Sequence, residues 1–348
     1  LLTLAVIGCG YWGPNFIRNF TQFPGVRMKV AVDLNKERLR HVGQLYPSVE
    51  TTTSLDDVVS DPEIDAGIVA TPVSTHHPIA MRLLEAGKHV LVEKPMAASV
   101  AEAEEMKKAA DERGLIIMAG HTFLYTAAVN KMKELISSGE LGHVYYISTT
   151  RVNLGLFQED INVIWDLAPH DVSILNYILN AEPETVSCTG QAYIQSGIED
   201  VAFLHLTYPG DIVAHTHVSW LNPDKIRRFT VVGSRKMLVF DDVSTQEKIR
   251  VYDKGVSVQP HYDTFGEFQL SYRFGDIYTP RLDDSEPLKN ECHHFVQCIR
   301  KREKPRSNGE AGLAVVRVME RACDSIRLNG KQIPLVPTED PASRGLSQ

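Results

Sequence analysis

The sequence predicts a two-domain α/β protein. A parallel sheet flanked by helices is expected over residues 1–120, followed by a second α/β domain over 121–348 built on a mostly antiparallel, open sheet. Three features predict this. Short apolar runs alternate with amphipathic segments as far as Gly120; the first run ends in a glycine-rich turn; beyond Gly120 the runs lengthen and alternate in polarity. A chain of 348 residues suits two domains of ordinary size.

In chain order, Leu4-Ala-Val-Ile7 reads as a buried strand. Gly8-Cys-Gly10-Tyr11-Trp12-Gly13 then leads into a helix with apolar spacing at Phe16, Ile17 and Phe20. Strand, G-x-G-x-x-G and helix together suit a dinucleotide: the first glycine permits the tight turn, the second a close diphosphate, and the third close helix–strand packing. The next strand, Met28–Asp33, ends in a carboxylate 20 residues beyond Gly13, where it can accept hydrogen bonds from a ribose. Leu34 and Asn35 follow it, with no cation before Lys36 and Arg38, so NAD is favoured over NADP.

The alternation continues through a strand at Ala66–Ala70, the Thr71-Pro72 turn, a helix ending near Gly87, and a strand His89–Val92 before Glu93-Lys94-Pro95. A helix over 99–112 and a strand at Leu115–Met118 complete the domain. Ligands of such sheets bind beyond the carboxyl ends of the strands, where Thr71-Pro72 and Glu93-Lys94 fall. Lys94 precedes a proline and is expected to be extended, its amine available to a hydroxyl or carbonyl; it also reads as a surface lysine paired with Glu93.

In the second domain a helix over Ala127–Ser138 precedes a strand at Val144–Val152. Further strands are expected at Ala202–Tyr208, Ile212–Trp220, Arg228–Gly233 and Met237–Phe240, and closing helices at Cys292–Ile299 and Ala314–Arg327. Pro209-Gly210-Asp211 reads as a hairpin turn. Trp165-Asp166-Leu-Ala-Pro169-His170-Asp171 precedes an apolar helical stripe, with Pro169 expected in the first turn. Asp166 and His170, four apart, can bring carboxylate to imidazole, and with a lysine they make the set that removes a proton from a secondary alcohol. In that position the helix N-terminus lowers the His170 pKa and Asp166 raises it; Asp166 also reads as a simple N-cap beside an incidental histidine.

Composition narrows the partners. With 36 Lys+Arg against 44 Asp+Glu the net charge is −8, and nucleic acid is not expected as a partner. The basic run Arg300–Arg306 reads as a solvated helix end. No apolar run approaches the ~20 residues of a membrane helix, and the apolar start leads into a glycine turn rather than a cleavage site. Five scattered cysteines without C-x-x-C argue against disulfides and a metal knuckle, so a reducing cytoplasm is expected.

Gly8-x-Gly10-x-x-Gly13, Thr71-Pro72 with His76, Gly87-Lys-His89-Val through Glu93-Lys94-Pro95, Ser138-Gly-Glu-Leu-Gly142 and Asp166-x-x-x-His170 follow in order. Together they resemble the glucose-fructose oxidoreductase/inositol dehydrogenase (Gfo/Idh/MocA) family, across nearly the whole chain. The resemblance implies a Rossmann domain, an open-sheet domain that forms a homodimer or homotetramer, and oxidation of a sugar or polyol with bound NAD. It implies that Lys94 acts on the reacting oxygen, Asp166 is its acidic partner and His170 is the general base, although Ala168-Pro169 stands where many relatives have glycine. A narrower resemblance lies in Gly10–Asn15, Arg151–Gly155, Trp165–Asp171 and Val218–Arg228. It points to the branch containing UDP-N-acetylglucosamine 3-dehydrogenases, which make a 3-keto sugar nucleotide for amination in amino-sugar and lipopolysaccharide synthesis.

The expected cofactor site comprises Gly8, Gly10, Tyr11, Trp12, Gly13, Asp33, Arg38, Thr71, Pro72, His76, Glu93, Lys94 and His121. The expected substrate site comprises Lys94, Tyr125, Arg151, Asn153, Asp166, His170, Lys225, Arg227 and Arg228, the cations suiting a diphosphate; no metal is expected. The substrate is expected to be a small molecule, a nucleotide sugar first and inositol or a free sugar second. A non-catalytic NAD sensor on the same fold is the rival, and it would need Asp33 and the glycines but not Lys94, Asp166 and His170 together.

Overall fold

The computed structural model describes residues 1–257 and 271–335. From the N-terminus the elements are β1 (Leu2–Ile7), α1 (Gly13–Phe20), β2 (Val26–Val32), α2 (Lys36–Leu45), β3 (Glu50–Thr52), α3 (Asp56–Val59), β4 (Ala66–Val69), α4 (His76–Glu85), β5 (His89–Glu93), α5 (Val100–Glu112) and β6 (Ile117–Gly120). The six strands form one sheet in the order β3-β2-β1-β4-β5-β6, every pair parallel. Leu4 to Val6, Ile68, Val69 and Val90 to Val92 are completely buried, the continuous apolar composition of strands covered on both faces.

The chain goes on through α6 (Ala127–Ser137), β7 (Val144–Val152), α7 (Val163–Leu179), β8 (Thr185–Gln191), β9 (Val201–Tyr208), β10 (Ile212–Ser219), β11 (Ile226–Gly233), β12 (Met237–Asp241), β13 (Ile249–Ser257) and β14 (Ser271–Tyr278). It ends with α8 (Pro287–Lys301), α9 (Gly309–Arg327) and β15 (Ile333–Pro334). The second sheet has nine strands in the order β14-β13-β12-β11-β7-β10-β9-β8-β15, and only its β7–β10 pair is parallel. Helix α7 packs on β7, β9 and β10. Alternation along β9 buries Ala202, Leu204, Leu206 and Tyr208 and exposes Phe203 and His205, so one face is covered and the other is open.

Two compact units result, Leu1–Thr126 with Asp284–Arg317, and Ala127–Asp283 with the chain from Val318 on. A single cut after residue 120 therefore misplaces Asp284–Arg317, which packs on the first unit. The cause is specific pairing. Arg18 and Asn19 of α1 donate to Glu286, Thr122 donates to Glu291 at 2.7 Å, and the Ala119 N–H donates to the Ser307 carbonyl at 2.7 Å.

Helix α7 starts earlier than its proline suggests. The Asn162 side chain accepts the Trp165 N–H and caps it, and Pro169 lies inside the helix rather than in its first turn. The carbonyl of Trp165 thus loses the donor that a non-proline residue at 169 would supply. Asp166 is in the first turn, whereas His170 lies a turn further on, beyond the strongest field of the helix terminus.

Helix α8 ends at Lys301 and Arg302 adopts φ 57°; Lys301, Arg302 and Lys304 of the basic run are exposed, whereas Arg300 donates to the carbonyls of Pro24 and Gly25 and Arg306 to that of Leu124, so the run is only partly solvated. All five cysteines are free. Among the described residues no helix is long and apolar enough to cross a membrane, and no group of three or more His, Cys, Asp or Glu is placed to hold a metal ion.

Candidate active site

The glycine-rich turn joins β1 to α1 in the first unit. Gly8 has φ +95°, and a Cβ there would lie 2.5 Å from the Ala70 carbonyl oxygen. A Cβ on Gly13 would lie 2.0 Å from the Gly8 oxygen, while around Gly10 nothing lies within 4 Å. The turn is therefore closed where helix meets strand and open where a diphosphate would approach, with Tyr11 and Trp12 exposed at its rim. Asp33 follows β2. One carboxylate oxygen accepts the Cys9 N–H and the other the Asn35 N–H, both at 2.7 Å, so the acid fixes the glycine turn and keeps lone pairs for a ribose. Arg38 is exposed, 3.6 Å from Asp33. The shape of this turn and the free lone pairs of Asp33 fit a dinucleotide, whose diphosphate would face Gly8, Gly10 and Gly13 and whose ribose would face Asp33.

We expect Asp33→Ser to weaken NAD and to narrow its advantage over NADP, because the change removes a repulsive charge and leaves Arg38 for a 2′-phosphate. Equilibrium titration with both cofactors checks this, and tighter binding of NADP than NAD by the unaltered protein sinks it.

At the neighbouring strand ends, His76 is buried and ties two loops together. Its ring nitrogens lie 2.9 Å from the Pro95 carbonyl oxygen and 2.8 Å from that of Thr71, and burial lowers its pKa. Thr71 also meets the Thr75 hydroxyl at 2.8 Å, and Pro72 is exposed beside it. Lys94 is half-buried directly after β5, and its N–H donates to the Glu93 carboxyl at 3.1 Å. Burial pushes the Glu93 carboxyl up to about 7 and, with the charge of Lys94, pushes the buried His121 imidazole down to about 4. Tyr125 departs from expectation as a substrate contact. It is buried in the first unit, its hydroxyl 2.9 Å from that of Ser307 and its ring under the Arg306 guanidinium at 5.1 Å.

In the second unit, Asp166 and His170 sit one turn apart on α7. The indole N–H of Trp220 donates to Asp166 at 3.0 Å, and Phe157 stacks edge-on against the same indole. Trp220 is a participant that sequence reading missed, since 54 residues separate it from Asp166 and only the fold joins β10 to α7. A carboxylate oriented in this way can hold a histidine one turn away, which is what a general base requires.

The cations expected to hold a diphosphate have other partners. Arg151 is 3% exposed and pairs at 2.7 Å with Asp171, itself 1% exposed, because strand alternation turns it inward onto α7. Thr149 donates to the same carboxylate, and burial raises the Asp171 pKa against the opposing pull of Arg151. Arg227 donates to the Val152 carbonyl and to Asn153 Oδ1 at 2.6 Å, and Arg228 pairs with Asp241 at 3.0 Å. Of the four, Lys225 alone makes no hydrogen bond or ion pair among the described residues, and it is exposed.

Comparison with known proteins settles the family. Residues 2–121 match the oxidoreductase family with an NAD-binding Rossmann fold, and residues 129–239 match the GFO/IDH/MocA C-terminal domain. The chain belongs to the Gfo/Idh/MocA oxidoreductase family. It is 28% identical over 313 residues to scyllo-inositol 2-dehydrogenase (NAD(+)) of Bacillus subtilis, covering 86% of this chain and 87% of that one. It is 27% identical over 276 residues to 1,5-anhydro-D-fructose reductase of Ensifer adhaerens, covering 76% and 78%. Among solved structures, UDP-N-acetylglucosamine 3-dehydrogenase GnnA from Acidithiobacillus ferrooxidans superposes with a TM-score of 0.79 at 23% identity, over 95% of this chain and 99% of that one. This Gfo/Idh/MocA member is thus an NAD-binding oxidoreductase with a parallel-sheet nucleotide domain and a mixed-sheet second domain.

Proposed function

We propose that the protein oxidises a secondary hydroxyl of a cyclic sugar or polyol, with Lys94, Asp166 and His170 as the catalytic residues. The observation that carries this reading is the Asp166–His170 pair one helical turn apart, its carboxylate held by Trp220. In this reading His170 takes the hydroxyl proton, Asp166 orients the imidazole, and Lys94 hydrogen-bonds the oxygen as negative charge develops on it. Bound NAD supplies the hydride acceptor. A sensor would have no use for this set, which argues for an enzyme.

For the substrate we carry forward C3 of UDP-N-acetylglucosamine, on the strength of the narrower sequence likeness in Gly10–Asn15 and Val218–Arg228. A second reading, a neutral polyol such as an inositol, is favoured by one observation: Arg151 and Arg228 already hold carboxylates. Initial rates with UDP-N-acetylglucosamine and with myo-inositol at two salt concentrations separate the two. A diphosphate held by Lys225 and Arg228 should show an apparent KM that rises with ionic strength. Efficient, salt-insensitive oxidation of myo-inositol, with no activity on the nucleotide sugar, rejects the UDP-sugar and leaves the dehydrogenase reading standing.

A further inference from the structure

Where β7 ends, the chain runs on beside the end of β10. Asn153 donates its N–H to the Ser219 carbonyl at 3.2 Å, and Gly155 donates its own to the Trp220 carbonyl at 3.0 Å. The Trp220 N–H in turn donates to the Asp200 carbonyl at 2.9 Å, so both backbone groups of this tryptophan are fixed. Exposure alternates along the strap: Leu154 and Leu156 are exposed, whereas Asn153, Gly155 and Phe157 are half-buried. The half-buried set meets the indole. A Cβ on Gly155 would lie 3.0 Å from Trp220 Cδ1 and 2.8 Å from Asn153 Nδ2, and the Phe157 ring centre is 5.6 Å from that of the indole. Asn153 is itself held by Arg227, which donates to its Oδ1 at 2.6 Å.

Gly155 is not among the glycines with positive φ, so space rather than backbone conformation is what a side chain there would violate. Trp220 is 1% exposed, and its indole has a single donor, which it gives to Asp166 at 3.0 Å. A buried N–H without an acceptor is costly, so ring and carboxylate hold each other in place. At this burial the ring has no surface for a substrate, and its effect on the chemistry runs through the carboxylate.

We propose that Gly155 is a positioning residue: lacking a Cβ, it lets the strap close on the Trp220 indole, keeps the indole N–H on Asp166, and so sets the carboxylate that orients His170. Phe157, edge-on to the same indole, belongs to the same clamp. The catalytic use of the clamp rests on the function proposed above; the clamp itself does not.

A double-mutant cycle read both by turnover and by magnetic resonance tests this. Labelled with ¹⁵N-tryptophan, the full chain carries three indoles, Trp12, Trp165 and Trp220, and Trp220→Phe identifies the Trp220 N–H signal by removing it. Gly155→Ala should move that proton upfield, as a weaker hydrogen bond does, and lower kcat about fivefold with substrate KM and NAD affinity little changed. Trp220→Phe keeps an aromatic ring but has no N–H to give, and should lower kcat about tenfold. Added to Trp220→Phe, Gly155→Ala should lower kcat by less than about twofold, because its path runs through the indole. A glycine needed only for the course of the chain would lower it equally in both backgrounds. Equal losses in the two backgrounds, or an unmoved Trp220 signal in Gly155→Ala, overturns the proposal. If Gly155→Ala does not fold, Phe157→Leu takes its place in the same cycle, with the same two outcomes deciding. If the Trp220 signal moves as stated but the unaltered protein oxidises no sugar or polyol, the dehydrogenase reading falls and the clamp on Asp166 stands.

Discussion

Alanine at Lys94 or at His170 is expected to lower turnover by about a hundredfold or more, with NAD affinity changed only a few-fold. The reason is that both side chains are assigned to the alcohol proton and the charge on its oxygen, which change most in the transition state. In the proposed reading the cofactor is held elsewhere in the first unit, by the glycine turn and by Asp33, which itself accepts the Cys9 and Asn35 N–H groups. Steady-state rates and cofactor titration on the same preparations check the split. Near-normal turnover in both variants returns Lys94 to a surface lysine and His170 to an incidental neighbour of Asp166, and revives the sensor.

The second large effect is on stability. Asp171→Ala leaves the buried Arg151 charge without its carboxylate and should cost about 3–5 kcal/mol in denaturant unfolding. Replacing both partners together, Arg151→Met with Asp171→Leu, should recover most of the loss, because well-packed apolar groups need no counter-charge. A loss under about 1 kcal/mol for Asp171→Ala contradicts the pair's structural role and reopens Arg151 as a ligand for phosphate.

What was legible in the sequence was whatever is local. Gly8, Gly10 and Gly13 announce their turn because each answers a steric demand within a few residues, and Asp33 follows at the end of the next strand. The apolar runs of the parallel sheet are equally plain, since burial on both faces leaves little choice of residue. Where partners are distant, the sequence carries no such signal. Arg151 reads as a ligand-binding cation because nothing in Val144–Val152 says that Asp171, 20 residues on, turns toward it. Pro169 reads as part of a first helical turn, whereas the cap at Asn162 starts the helix at Val163, six residues before the proline. Glu291 sits among ordinary helical residues, and only the return of Asp284–Arg317 to the first unit makes it a neighbour of Thr122. Strand β8, Thr185–Gln191, carries hydroxyl, glycine and amide residues and has little apolar alternation to reveal it.

Whether this NAD-binding member of the family removes hydride from a ring carbinol is decided by following an isotope. Cyclic polyols and UDP-N-acetylglucosamine deuterated at the carbinol carbons are incubated with the protein and NAD, and the reduced cofactor is examined by mass spectrometry. Deuterium is expected in the nicotinamide ring with at least one of these substrates, and is expected to be lost in His170→Ala. Tight NAD binding without deuterium transfer from any of them would contradict it.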